Sequence, residues 1–105
     1  VSGLDNTSFT VRTFAGTLDA LTNTDYVVIY TASAARIVNL PDVSTIPKGR
    51  RYTIINGGGA SAITINPAFG STIDGGGTLN MAATSTARAD IVSDGSNWFT
   101  TYTHG

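Results

Sequence analysis

The sequence predicts an all-β fold: a small antiparallel β-sandwich or jelly-roll-like domain. Three observations carry that reading. The 105 residues include no Glu and no Gln, both good helix formers, while 17 are Thr, which favours strands. Hydrophobic residues make up 41% of the chain, too many for a disordered one. The β-branched runs are short and are bounded by Gly, Pro, Asp and Asn, the pattern of closely spaced strands and turns.

Taken in order, residues 1–24 read as an N-terminal lead-in or linker with one strand, "SFTVRTF" at 8–14, followed by the turn-rich "AGTLDALTNT" with room for at most one helical turn. Residues 25–105 read as the β-sandwich module. "DYVVIY" at 25–30 is a plain strand, and "AARIVNL" at 34–40 is another, closed by Pro41. "STIPKG" is a loop, and "RRYTIIN" at 50–56 is a strand stopped by Gly57, Gly58 and Gly59. "SAITIN" at 61–66 alternates, with Ile63 and Ile65 on one face. "STID" at 71–74 meets "GTLNMAA" at 77–83 across Gly75 and Gly76, and "TARADIV" at 86–92 meets "NWFTTYT" at 97–103 across Asp94 and Gly95.

Two strands carry apolar side chains on both faces. In 25–30, Tyr26, Val28 and Tyr30 oppose Val27 and Ile29; in 97–103, Trp98 and Tyr102 oppose Phe99. Such strands are either central ones with a covered outer face or part of a subunit interface, and the thin core of so small a domain favours the interface.

The acidic turns are the natural candidates for chemistry. Asp-Gly between strand-like runs is a hairpin signal, because a type I′ turn needs positive φ at both central residues, and Asp bonds to nearby backbone amides. Asp74 and Asp94 are therefore hinges first. Asp94, Ser96 and Asn97 offer too few oxygens for calcium, and a chain with one His and no Cys has no zinc set, so no metal and no cofactor is expected. His104, beside the terminal Gly105, makes a poor triad base, and "NGGGASAITI" lacks the Lys-Ser/Thr and the helix of a phosphate loop. No catalytic residue is assigned. The remaining candidate is a receptor or glycan contact built from Asp94, Ser96, Asn97, Trp98 and Tyr102, against the reading of Trp98 as a core plug.

Charged residues are only 12% of the chain and the net charge is −1, which argues against nucleic acid. Lys48, Arg50 and Arg51 form the one basic group, read as a solvated turn flank ahead of an anion site. No run approaches the roughly 18 apolar residues of a membrane helix, so no membrane insertion is expected.

The ordered set "DYVVIY", "ARIVNLPDVSTIPKGRRYTIIN", "GGGASAITINPAFGSTIDGGGTLNM" and "ADIVSDGSNWF" resembles a module of bacteriophage tail fibres and other virion appendages. The likeness covers roughly residues 25–99, and residues 1–24 have no counterpart in it. It implies a non-enzymatic, homotrimeric virion structural protein, a tail-fibre, head-fibre, spike or decoration module, which contacts other virion proteins and a host-surface receptor or glycan. The alternatives are a carbohydrate-binding module or lectin of a bacterial extracellular protein, and a small polysaccharide depolymerase with an intersubunit site.

Overall fold

The computed structural model describes residues 10–22, 24–57, 61–68, 70–81 and 87–104. It is all-β. Among the described residues nine strands form two sheets: β1 (Thr10–Phe14), β2 (Leu18–Ala20), β3 (Asp25–Tyr30), β4 (Arg36–Asn39), β5 (Arg51–Asn56), β6 (Ile63–Asn66), β7 (Leu79–Met81), β8 (Arg88–Ser93) and β9 (Trp98–His104). One sheet has the order β1-β3-β5-β8-β9, the other β2-β4-β6-β7.

The antiparallel expectation needs correction. Of the seven ladders among the described residues, β1/β3, β3/β5, β2/β4 and β4/β6 are parallel. Only β5/β8, β6/β7 and β8/β9 are antiparallel. The reason is the path of the chain, which changes sheets after each of its first five strands. Neighbours within a sheet are thus two strands apart in sequence and run the same way. Parallel strands need a crossover, and here a strand of the opposite sheet supplies it in place of a helix. The segment 15–24, expected to hold at most a helical turn, contains β2. Residues 10–20 therefore give each sheet an edge strand, and the module begins before residue 25; residues 1–9 lie outside the described set.

One core serves both sheets. Val28, Tyr30, Tyr52, Ile54, Ile91 and Trp98 from the five-stranded sheet cluster with Val38, Ile63, Ile65 and Met81 from the other. Period-two alternation puts them there: in β5, Tyr52, Ile54 and Asn56 are buried while Arg51 is exposed and Thr53 and Ile55 are half-buried. Arg36, buried on β4, ties the layers together by donating to the carbonyls of Tyr30 and Ser61. Burial pushes its guanidinium pKa down, and no carboxylate pairs with it among the described residues.

Between β4 and β5, Asp42 caps a single 3-10 turn at Val43–Thr45 by accepting from Ser44 N (2.9 Å), while Val43 and Ile46 turn inward. Arg50 is no part of a solvated basic flank. It is buried, lies 4.3 Å over the Tyr52 ring, and donates to the carbonyls of Asp25 and Arg51. Lys48 and Arg51 are exposed.

Strict alternation also fails in β9. A register shift opposite Asp90/Ile91 leaves Thr101 without a partner, so Tyr102 pairs with Asp90 while Thr100 pairs with Ile91. The extra residue turns Tyr102 to the face of Phe99, opposite to buried Trp98, where simple alternation puts it beside Trp98.

Because the shared core carries the fold, Ile54→Ala is expected to cost about 2–5 kcal/mol. Ile37→Ala, at a 43% exposed site one strand over in the second sheet, should stay within about 0.5 kcal/mol. Urea midpoints at constant slope measure both.

Candidate functional site

The turn at 94–97 closes the β8/β9 hairpin, where Ser93 pairs with Trp98. Asp94 Oδ1 accepts from the N–H of Ser96 (2.9 Å) and of Asn97 (2.8 Å), and Asp94 N donates to Asn97 O (3.1 Å). These backbone donors, Asn97 first, hold the Asp94 carboxyl below its ordinary pKa. Gly95, the first central residue, has φ +97, but neither Asp94 nor Ser96 has positive φ, so the expected type I′ geometry does not apply here. A positive φ at the glycine alone is the pattern of a II′ turn.

The I′ signature does occur at the other acidic turn. Asp74 (φ 53) and Gly75 (φ 81) are its two central residues, and Ile73 and Gly76 exchange backbone hydrogen bonds of 3.1 and 2.8 Å across it. Its carboxylate acts at long range instead of locally: Oδ1 accepts from Thr100 N (2.9 Å) and Oδ2 from Thr100 Oγ1 (2.6 Å). Gly76 is a bridge partner of Ile73, not a left-handed turn residue, and β7 pairs with β6 and not with 71–74.

The two turns are joined. Asn97 Oδ1 accepts from Thr72 N (2.9 Å), Trp98 N donates to Thr72 O (2.8 Å) and Asp74 N donates to Trp98 O (2.9 Å). Gly57 is required for closeness: a Cβ there would lie 2.9 Å from Ile29 Cγ2 and 3.3 Å from Tyr30 O. Gly58 and Gly59 lie outside the described residues.

Of the five candidate contact residues, Asp94 and Ser96 are exposed at the turn, Asn97 is half-buried, and Tyr102 is exposed on the sheet. Trp98 is fully buried 5.7 Å from the Tyr52 ring, so its indole is a plug and offers no face to a ligand. The five do not form one surface.

The densest charged group is one that sequence reasoning does not single out. Arg12 donates to Asp19 (2.7 Å) and Asp25 (3.0 Å), and the Tyr30 hydroxyl donates to Asp19 (2.7 Å). Arg12 stands at an inward-facing position of β1, in register with buried Val28, which only the strand pairing reveals. Burial pushes the Asp25 carboxyl up, but hydrogen bonds from Arg12 and Thr22 and the charge of Arg12 prevail and hold it below its ordinary 3.8. Burial and then Asp19 push the Tyr30 hydroxyl up. A cation shared by two carboxylates leaves no proton poised for transfer. It is a brace.

Every described aspartate has such work: Asp19 and Asp25 on Arg12, Asp42 on Ser44, Asp74 on Thr100, Asp90 on Thr53, and Asp94 on its own turn. Among the described residues no three His, Cys, Asp or Glu gather as a metal set. No family model matches the chain, and a search of curated proteins finds no match either.

The Asp25 shift carries a pH dependence. A carboxyl lowered in the folded state stabilises the fold above its unfolded pKa near 3.8, and that contribution disappears as pH falls through the lower folded value. Asp25→Asn should therefore cost on the order of 1–3 kcal/mol at pH 6, with the gap to the natural chain closing as pH falls below 3.8 and through the lower folded value. Urea titrations across pH 2–6 read this directly.

Proposed function

We propose that this chain is a virion structural module, a fibre, spike or decoration element of a bacteriophage, built as a two-layer sandwich and working as a homo-oligomer at the particle surface. A trimer is the form its tail-fibre resemblance implies. The observation that carries the reading is the use of the acids: all six described aspartates hold turns, strands or an arginine, which suits a protein whose product is a shape. Rigid strands present exposed turns, and repetition by symmetry multiplies weak contacts with a host receptor or glycan, where linked sites gain on the order of 10²–10⁴ in avidity. Asp94 and Ser96 are the contacts at the 94–97 turn, and other virion proteins are the neighbours within the particle.

A carbohydrate-binding module is the second reading. It is favoured by the exposed aromatic rings of Phe99 and Tyr102, 41% and 52% accessible on one sheet face. Trp98 does not serve it, being buried.

Light scattering at micromolar concentration tests the proposal. A stable oligomer is expected, with no release of reducing ends from a host polysaccharide. A stable monomer, or catalytic cleavage lost on a single Asp→Asn change, overturns it.

A further inference from the structure

The two sheets have unlike outer faces. On the four-stranded sheet the outward row from β4 to β7 runs Ile37, Thr64, Asn80, with Thr64 bonded to Asn80 (3.2 Å). In the next row Asn66 bonds to Asn39 (3.2 Å). Apart from exposed Leu18 and Ile37, paired at one edge, this is a hydroxyl and amide face. On the five-stranded sheet, one outward row runs Val11, Val27, Thr53, Asp90, Tyr102; one flanking row holds Ile29, Ile55 and Arg88, and the other Arg51, Val92 and Phe99. Val11 is 69% exposed. Among the described residues nothing covers this face.

We propose that the outer face of the five-stranded sheet is where a second copy of this chain docks. The inference rests on the homo-oligomeric reading above and not on its threefold form, because a face that pairs with itself closes as a dimer. Size is the first support. Five strands about 4.8 Å apart and some six residues long give roughly 500 Å² in projection, so two such faces bury about 1,000 Å², the threshold for a specific interface.

Charge is the second support. Arg88 and Asp90 stand two apart on β8 and point outward together. Exposed Arg88 has no ion-pair partner among the described residues, and Asp90 gives Oδ1 to Thr53 (2.6 Å) while Oδ2 takes no hydrogen bond there. A face that carries both signs on one strand is complementary to a copy turned about a twofold axis, in which Arg88 of each chain meets Asp90 of the other. The bulge in β9 is the third support. It turns Tyr102 onto this face and away from the core, completing an apolar surface that the fold itself does not use.

The experiment measures the mass of the full chain by light scattering across a dilution series, with circular dichroism to verify folding. Val11→Lys combined with Tyr102→Lys, both at exposed sites, should weaken association at least about tenfold with an unchanged spectrum. Leu18→Lys on the other sheet should leave it intact. Arg88→Asp and Asp90→Arg chains should each dissociate alone and reassociate when mixed in equal amounts, which damage within one chain would not produce. An oligomer indifferent to these changes, or one broken by Leu18→Lys, overturns the proposed face and leaves the oligomeric reading standing. A natural chain that stays monomeric overturns both.

Discussion

The constraint on which this structure depends is that neither sheet is built without the other. From β1 to β6 the chain places each strand in the sheet opposite to the previous one. No local hairpin joins those six strands, so each parallel ladder is connected through a strand of the opposite sheet. The inward column of Val28, Tyr30, Tyr52 and Ile54 facing Val38, Ile63 and Ile65 is therefore the condition for both sheets, not a consequence of them. At about 25 cal/mol per Å² of apolar surface, side chains of this size outweigh any single hydrogen bond in the molecule.

The polar groups close what the apolar column leaves open. In the first strand of each sheet a charged side chain takes an inward position, Arg12 on β1 beside Phe14 and Asp19 on β2, and the ion pairs of Arg12 with Asp19 and Asp25 close that end of the core. Stacked folds finish their end units with polar residues in this way. On the opposite side of the five-stranded sheet, Asp74 holds β9 through Thr100 and Asn97 holds Thr72, so the two acidic turns brace one another. Carboxylates committed to such bonds are acceptors with fixed partners and are poor agents for moving protons.

Much of this is legible in the sequence, and the misses have physical causes. The bounds of the strand 25–30 can be read to the residue, although a register shift at its start leaves Tyr26 exposed and Asp25 buried, against simple alternation. The antiparallel hairpin around 94–97 comes from Asp-Gly between apolar runs. Parallel pairing is hidden because the strands that pair start at Thr10, Asp25 and Arg51, spacings too unequal to show as a repeat. β2 escapes because its three residues, Leu-Asp-Ala, are too few for alternation to register and have weak strand propensity. Alternation assigns Tyr102 to the wrong face because a bulge adds one residue without any signature in composition. Trp98 as a plug is readable from its size and its place after a turn; Arg12 at an inward position looks like any surface cation until the fold brings Asp19 and Asp25 around it.

For function, the consequence is a division of labour between faces: a packed interior, one outer surface with bonded amides and hydroxyls, one that mixes exposed aromatic and aliphatic side chains with Arg51, Arg88 and Asp90, and turns tied down by acids. Native-state amide hydrogen exchange tests the central claim most directly. If both sheets rest on one shared column, the slowest amides of β3 and β5 and those of β4 and β6 will open with the same free energy and shift together in denaturant. A four-stranded sheet that exchanges through its own, much lower-energy opening while the five-stranded sheet stays protected would contradict it.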